Sequence, residues 1–302
     1  MQHRPPLSKQ HSLAPVLAAL AGLALFTVMD GIMKASSIAV GAYSAVFWRN
    51  LMGAAIMAPL WLRRTRRWPD KQSMRLHLLR GSVACAMTLL FFWGLVRTPM
   101  AEAMALSFIA PLIALFLAAV WLGEQVAPRA VGGSLLALCG VIVIATGKFN
   151  GTGASKDSLA GLAAILLSAT LYGWNLVLQR RQAQVAGPEE IAFFQSLVVF
   201  VLLSFGAPWF LSQPNLQTFG LLGIAAVIAS SSLMLLSWAY ARAEAQVLVP
   251  LEFTTFIWAA LTGWLAFAEP ITWPTLAGVT LIISGCLFAT RPSGQKHLNL
   301  SE

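Results

Sequence analysis

Residues that build catalytic and metal sites are scarce in this sequence. Only 10% of its 302 residues are charged, and it contains three cysteines and four histidines. The cysteines lie in separate apolar stretches, which is typical of small buried side chains and not of a disulfide framework. The histidines lie in the terminal segments, except His77 at the edge of an apolar stretch. No cluster of histidine, cysteine and carboxylate residues has metal-ligand spacing, so we expect neither a metal nor a cofactor.

The sequence also lacks the motifs of nucleotide hydrolysis and of serine hydrolases. It contains no Gly-x-x-x-x-Gly-Lys-Ser/Thr loop, so ATP hydrolysis within this chain is not expected. It contains no Gly-x-Ser-x-Gly motif either. A membrane enzyme acting on a lipid or prenyl group would need a clustered acid–base or metal motif, and none is evident. We therefore predict that the protein is not an enzyme.

Long apolar stretches dominate the chain, and 58% of its residues are hydrophobic. About 20 apolar residues suffice to cross a bilayer. Backbone groups in lipid must form their hydrogen bonds internally, so such stretches should be helices, and the alternation of a transmembrane barrel is absent. The sequence thus predicts an all-α integral membrane protein with ten transmembrane helices, at 13–33, 42–62, 76–96, 101–122, 129–147, 158–178, 189–211, 218–241, 245–267 and 273–290.

The net charge of +9 follows membrane topology and does not indicate a nucleic-acid partner. Fifteen of the 20 lysines and arginines, Arg80 among them, fall in the even-numbered loops and the two termini. Because positive charge accumulates on the cytoplasmic side, both termini are predicted to be cytoplasmic and the membrane to be a cell inner membrane. The densest run, at 63–67, can also contact anionic lipid head groups.

The chain repeats itself at a constant offset of 145 residues. Each copy contains five predicted helices, and five is odd, so the second copy must enter the membrane in the opposite orientation. We predict repeats at 13–147 and 158–290, with cytoplasmic tails at 1–12 and 291–302. Inverted repeats are the usual architecture of secondary transporters that bind substrate between their halves. The matching pairs are Trp93 and Trp238, Arg97 and Arg242, Glu124 and Glu269, Gly133 and Gly278, and Gly140 and Gly285.

The glycine pairs of the fifth and tenth predicted helices have two interpretations. A spacing of seven places both glycines of a pair on one helix face, where they allow close helix packing in lipid. That face can pack within the chain, or it can form a dimer interface. The sequence therefore leaves open whether the protein is a monomer or a homodimer.

Polar residues inside the predicted helices correspond between the two copies. Membrane-embedded ionisable groups are costly and usually face a cavity or a partner. We therefore predict a shared polar interior that binds the substrate and the coupling ion. Its corresponding positions are Thr27 and Tyr172, Asp30 and Asn175, Lys34 and Gln179, Ser107 and Glu252, and Arg49-Asn50 and Gln195-Ser196 with a shift of one residue.

Glu252 is the strongest of these candidates because it lies nearest the bilayer midplane. It either binds a cationic group or carries a coupling proton, or it is a structural hydrogen-bonded glutamate. Asp30 and Arg49 either pair with each other, or Arg49 binds a substrate carboxylate or phosphate through its planar fork. Lys34 lies close enough to the outer surface to extend its ammonium to the interface.

Tryptophans near these polar positions are further candidates. Trp174 and Trp258 lie inside predicted helices, where they either stack on a planar or cationic ligand or anchor helix packing.

Five segments carry a resemblance to a known family: Leu106-Ser107-Phe108-Ile109-Ala110-Pro111, Trp121-Leu122-Gly123-Glu124-Gln125, Gly140-Val141-Ile142-Val143, Ala268-Glu269-Pro270 and Pro250-Leu251-Glu252-Phe253-Thr254-Thr255. They resemble the EamA repeat of the drug/metabolite transporter superfamily. The resemblance covers about 13–290 and implies two inverted five-helix bundles around a central cavity, with the fifth and tenth helices outside. It also implies a fold role for Glu124 and Glu269.

The resemblance and the polar interior together predict a secondary active transporter. We expect it to move a small amphoteric, amino-acid-like metabolite across the inner membrane by alternating access, as a proton-coupled exporter. The alternative is an uptake permease for a nucleoside-, S-adenosylmethionine- or flavin-like compound, and a non-transporting scaffold is a remote one. Pro111 and Pro250 are candidate bending points, because proline frees backbone groups within a helix.

Overall fold

A computed structural model describes residues 13–64, 68–110, 112–113, 128–149, 156–242 and 248–290. Secondary structure in these ranges is entirely helical. A helical turn, Ala207–Phe210, follows the seventh helix, and a 3-10 segment, Val249–Thr254, precedes the ninth. The helices are α1 Leu13–Val40, α2 Ala42–Arg64, α3 Lys71–Leu95, α4 Met100–Ser107, α5 Pro128–Phe149, α6 Lys156–Val185, α7 Pro188–Ser204, α8 Leu216–Tyr240, α9 Thr255–Phe267 and α10 Trp273–Thr290.

The longer helices have the length and composition of membrane spans. Within the described ranges, α1, α2, α3, α6 and α8 are long and apolar enough to cross a bilayer. Shorter apolar stretches occupy parts of α5 and α10, and the 3-10 segment with α9. In the fourth predicted span, Pro111 and residues 114–122 lie outside the described residues. The protein is thus an all-α, multi-pass membrane protein.

Helices of one copy pack against helices of the other. Gly140 of α5 faces Gly278 of α10, and a Cβ atom at Gly140 would lie 2.5 Å from the Gly278 carbonyl oxygen. A Cβ atom at Gly285 would lie 2.4 Å from the carbonyl oxygen of Gly133. The two contacts pair the ends of the helices in reverse order, so α5 and α10 run antiparallel. The predicted glycine faces are therefore used within the chain.

The other helices interlock in the same way. The Ser232 hydroxyl on α8 donates to the carbonyl of Gly22 on α1 at 2.7 Å. The Ser168 hydroxyl on α6 donates to the carbonyl of Met87 on α3 at 2.8 Å. These contacts join α1 to α8 and α6 to α3, which are equivalent pairs under the 145-residue offset. Each copy therefore completes its packing only with the other.

Local structure repeats as well. The Arg97 guanidinium lies 3.7 Å from the ring centre of Trp93, and the Arg242 guanidinium lies 4.3 Å from that of Trp238. Each arginine also donates to the backbone carbonyl of its tryptophan, at 2.9 and 3.2 Å. The offset in the sequence thus reproduces the same side-chain arrangement at the ends of α3 and α8.

Candidate functional site: a polar cavity between the two halves

A cavity of about 190 Å³ lies between the two copies. Helices α1 to α4 and α6 to α8, together with the 3-10 segment and the first residue of α9, contribute to its wall. Much of the wall is apolar and aromatic, including Phe26, Phe91, Phe92 and Phe108. Polar groups from both copies interrupt this surface. The cavity thus combines hydrophobic contact area with a few polar groups, as ligand-binding sites do.

The structure brings eight of the ten candidate residues to this wall. Trp174 and Trp258 do not line it, and Trp258 is 39% exposed on the outer surface of α9. Thr27, Asn50 and Ser196, which the repeat also singled out, belong to the wall. The eight are Asp30, Arg49, Ser107, Tyr172, Asn175, Gln179, Gln195 and Glu252.

Glu252 lies on the 3-10 segment and not on a regular α-helix. Its carboxylate is buried and accepts a hydrogen bond from the Tyr240 hydroxyl at 2.7 Å. The segment leads directly into α9, and 3-10 turns are frequent at the ends of α-helices. Tyr240, at the last residue of α8, therefore holds a cavity carboxylate at the start of the ninth span, a partner that the repeat did not indicate.

Asp30 and Arg49 lie near each other without forming an ion pair. Among the described residues, no oxygen of Asp30 lies within 4 Å of a nitrogen of Arg49. Their charges still attract each other. The Arg49 guanidinium instead donates to the Asn50 side chain at 3.3 Å and contacts the sulfur of Met29 at 3.6 Å. Both groups remain part of the cavity wall, where a bound molecule can reach them.

Arg80 is a cavity residue that the charge distribution assigned to a loop, although it falls inside the predicted span 76–96, and the loop assignment is wrong. Helix α3 contains Arg80, which has 1% of its surface exposed. Its Nε atom donates to Asn175 at 3.2 Å, and its Nη1 atom donates to Gln182 at 2.5 Å. The spacing of three between His77 and Arg80, which places both on one helix face, is the signal that could have identified it.

A buried network continues from Arg80 away from the cavity. The Gln182 amide nitrogen lies 2.6 Å from Nδ1 of His77, and Nε2 of His77 lies 2.9 Å from the Glu190 carboxylate. Because Arg80 donates to the Gln182 oxygen, the Gln182 nitrogen is the donor to His77. His77 then accepts at Nδ1 and donates to Glu190 at Nε2. We call His77, Arg80, Asn175, Gln182 and Glu190 the Arg80 network.

At the other end of the molecule, Lys34 and Glu269 form an ion pair between the two copies. Lys34 is 4% exposed and also donates to the carbonyl of Thr98 at 2.9 Å, so the expectation that it extends to the interface is wrong. Glu269 accepts from the backbone nitrogen of Met100 at 2.7 Å and thereby caps α4. These contacts join α1, α4 and the end of α9, and the fold role that the resemblance implies for Glu269 stays a prediction. Glu124 lies outside the described residues.

Within the described residues, no three His, Cys, Asp or Glu side chains are arranged to hold a metal ion. What the cavity offers a ligand is charge of both signs, hydrogen-bonding groups and aromatic surface.

Comparison with known proteins places this architecture in a family. The model of the EamA-like transporter family matches residues 13–146 and again residues 159–291. A pseudopaline exporter of Pseudomonas aeruginosa is 25% identical over 278 residues, covering 91% of this chain and 95% of the exporter. A riboflavin transporter of Rhizobium johnstonii is 27% identical over 220 residues, covering 71% of this chain and 70% of that protein.

The fold also matches a solved structure. A crystal structure with 20% sequence identity superimposes with a TM-score of 0.64, covering 91% of this chain and 96% of the other. At this level of identity the likeness shows the fold alone.

Proposed function

The chain belongs to the EamA-like transporter family, and from that premise we propose that it is a secondary active transporter of a small amphoteric metabolite. The observation that carries the proposal is the cavity between the two copies, whose wall contains charged groups of both signs. Asp30 and Glu252 are its acidic groups, and Arg49 and Arg80 are its basic groups. Such a wall complements a molecule that carries both an acidic and a basic group. Binding between two packed halves suits alternating access by rocking of one half against the other.

The proposed topology has both termini in the cytoplasm of a cell with an inner membrane, as the distribution of lysine and arginine favours. In that orientation the Arg80 network lies toward the cytoplasm, and the Lys34–Glu269 pair lies toward the outside. The cavity wall extends to Tyr240 at the cytoplasmic end of α8. This arrangement supports loading of substrate from the cytoplasm. We therefore propose export, with a proton bound at Glu252 as the coupling ion.

The exporter among the relatives supports the same direction. That protein is named for pseudopaline and matches this chain over nearly its full length. An identity of 25% does not extend to the substrate, so the proposal is limited to an amphoteric metabolite.

Counterflow in proteoliposomes tests the proposal most directly. Purified protein would be reconstituted with a pooled mixture of unlabelled metabolites, and uptake from a labelled pool would be read by mass spectrometry. We expect one class of amphoteric compounds to accumulate above the level in empty liposomes. If well-folded protein accumulates nothing from pools that include amino acids, nucleosides and flavins, a transport role for the isolated chain is contradicted.

A second candidate substrate is a flavin-like compound taken up into the cell. Two features favour it: riboflavin transporters of Rhizobium johnstonii and Brucella anthropi are among the relatives, and phenylalanines line the cavity. Aromatic side chains stack on planar rings. Riboflavin in the counterflow pool separates the two candidates. If riboflavin accumulates in preference to amino acids, the substrate is a flavin and not an amphoteric metabolite.

A further inference from the structure

Arg80 presents a buried positive charge to the cavity without an acidic neighbour. Its guanidinium is charged at every physiological pH, and 1% of the residue is exposed. Its two hydrogen-bond acceptors, Asn175 and Gln182, are neutral amides. Among the described residues, no carboxylate oxygen lies within 4 Å of it. Burying a charge beside neutral groups alone is costly, so the site gains stability when an anion enters it.

Lys34 and Arg49 differ from Arg80 in this respect. Lys34 forms an ion pair with Glu269, and Arg49 lies within electrostatic reach of Asp30. In the Arg80 network the acidic group is Glu190, which is separated from Arg80 by His77 and Gln182. Arg80 is therefore the cavity cation whose charge the protein itself neutralises least.

The guanidinium also retains hydrogen-bonding capacity. Its bonds to Asn175 and Gln182 use Nε and Nη1, and within the described part of the chain Nη2 makes no hydrogen bond. Arg80 lines the cavity, so a molecule inside it lies beside this side chain. A guanidinium recognises a carboxylate through adjacent N–H groups in one plane, a geometry that a lysine ammonium cannot offer.

The Arg80 network fixes this guanidinium in place before any ligand arrives. Gln182 is held by Nδ1 of His77 at 2.6 Å, and His77 is held by Glu190 at 2.9 Å. The imidazole of His77 also stacks on the ring of Phe194, with the ring centroids 4.6 Å apart. A group that is already ordered loses little conformational freedom on binding, which raises affinity.

We infer that Arg80 is the centre of a carboxylate-binding site, so that the transported molecule carries an acid group that docks on α3. The inference rests on the proposed transport function and narrows its substrate class. Arg80, Asp30 and Glu252 line the same cavity, so a molecule inside it meets basic and acidic groups together. A molecule with a carboxylate at Arg80 can therefore place an amino group near Asp30 or Glu252, as an amino acid or an amino-polycarboxylate does.

A matched pair of simple probes tests the site without knowledge of the natural substrate. Benzoate and benzamide have the same shape and differ in charge, and both are flat enough to contact the phenylalanines of the wall. Thermal unfolding of the purified full chain would be followed by tryptophan fluorescence at constant ionic strength. We expect benzoate to raise the unfolding temperature in a saturable manner and benzamide to have no such effect.

Variants locate the effect. Arg80→Gln should weaken the apparent affinity for benzoate roughly tenfold or more, because a charge-assisted hydrogen bond is lost. Arg80→Lys should give an intermediate loss. Arg75→Gln, which removes an exposed arginine from the same helix, should bind benzoate as the wild type does.

Two results of the binding experiment overturn the inference. Equal stabilisation of the wild type by benzoate and benzamide, or by neither, contradicts it even if Arg80→Gln fails to fold. Benzoate binding that survives in Arg80→Gln but disappears in Arg49→Gln assigns the acid group to Arg49 instead. Counterflow distinguishes this failure from that of the proposed function. Transport of a compound without an acid group, insensitive to Arg80→Gln, removes the carboxylate site and leaves transport standing. Benzoate binding that depends on Arg80, in a protein that shows no counterflow, supports the carboxylate site and contradicts the proposed transport function.

Discussion

Single residues in the cavity show how an irregular segment can hold a carboxylate inside a membrane. The 3-10 segment lies within the predicted ninth span, directly before α9, and backbone groups in lipid need hydrogen-bond partners. The Thr254 hydroxyl donates to the Leu251 carbonyl at 2.7 Å, and the Thr255 hydroxyl donates to the Glu252 carbonyl at 2.6 Å. These bonds satisfy acceptors of the segment while the Glu252 side chain is held by Tyr240. The local structure thus presents Glu252 to the cavity in a defined position.

If Glu252 carries the coupling proton, Glu252→Gln will abolish pH-driven transport. The glutamine keeps the size of the side chain and cannot bind or release a proton. Flux under an imposed pH gradient should fall to the level of empty liposomes, whereas counterflow, which needs no net proton movement, should persist in part. Asp157→Asn, which alters an exposed carboxylate at the start of α6, is the control. An unchanged pH profile in Glu252→Gln would assign the coupling proton elsewhere.

The separation of Asp30 and Arg49 predicts the outcome of a double-mutant experiment. Because the two groups form no direct ion pair, each is available to the substrate, and removal of both should cost more than removal of either. We therefore expect the counterflow rate of the double variant to be lower than that of Asp30→Asn or of Arg49→Gln. If the double variant has the same counterflow rate as the less active of the two single variants, the two residues act only as a pair.

Among the helices, the pairing of α5 with α10 depends on the absence of side chains at the contact. A Cβ atom at Gly140 would lie within 3.0 Å of both a carbonyl oxygen and an amide nitrogen of α10. Backbone atoms in two packed helices cannot move aside as the end of a flexible side chain can. Close approach of this kind is what holds helices together in lipid, where apolar contact alone gives no preference for protein over acyl chains.

Gly140→Ala should therefore destabilise the protein by about 1–3 kcal/mol, the usual cost of overpacking. Gly220→Ala is the matched control, because a Cβ atom on Gly220 of α8 meets no atom within 4 Å. We expect that control to be neutral or slightly stabilising, since alanine favours a helix more than glycine does. Unfolding in a graded detergent titration measures both. Equal effects of the two substitutions would contradict the close contact.

The N-cap residues of α3 and α8 provide a test of pH dependence with an internal control. Asp70 and Asn215 occupy equivalent positions, and their side chains accept from the backbone nitrogens of Ser73 at 3.0 Å and Thr218 at 2.8 Å. The hydrogen bond from Ser73 lowers the pKa of Asp70 below its ordinary value of 3.8. The ionised Asp70 thus stabilises α3 above that pH, and the stabilisation is lost as the pH falls through the lowered pKa.

The stabilisation lost in Asp70→Ala should consequently shrink below a pH of about 3.8, whereas that lost in Asn215→Ala should stay constant, because the amide does not titrate. Thermal unfolding at neutral and acidic pH, relative to the wild type under each condition, gives the comparison. A parallel pH dependence of the two variants would show that Asp70 does not act as an ionised cap.

The elements and the cavity were predictable from the sequence to different degrees. The length of the hydrophobic stretches predicted the membrane helices. The 145-residue offset indicated polar wall residues such as Asn175, because a polar side chain within a span is costly when it faces lipid and therefore faces a cavity or a partner. Arg80 was missed because its charge was assigned to the cytoplasmic loops, although the residue falls inside the predicted third span. The 3-10 segment was missed because hydropathy does not distinguish helix types. Trp258 does not reach the wall, since an aromatic residue is equally stable facing lipid.

Across the whole molecule, ionic contacts join the two copies at both ends of the cavity. The Lys34–Glu269 pair joins α1 to the end of α9, and the Arg64–Glu189 pair joins the end of α2 to the start of α7. Alternating access requires contacts at one end to open while those at the other close. The two pairs differ in burial, because side-chain exposure is 5% and 18% in the first pair but 68% for Arg64 in the second.

This difference in burial predicts unequal consequences of breaking the pairs. Glu269→Gln keeps an acceptor for the Met100 nitrogen but removes the carboxylate from a buried ammonium, which should cost about 3–5 kcal/mol of unfolding free energy. Arg64→Gln removes an exposed cation, and Glu189 remains favourably placed in the first turn of α7, so the cost should be about 0–1 kcal/mol. Detergent-induced unfolding of both variants measures the two costs. The reactivity of cysteines introduced at the Lys34 end of the cavity should then rise in Glu269→Gln and remain unchanged in Arg64→Gln. Equal stability and equal accessibility in the two variants would show that Lys34–Glu269 does not close that end.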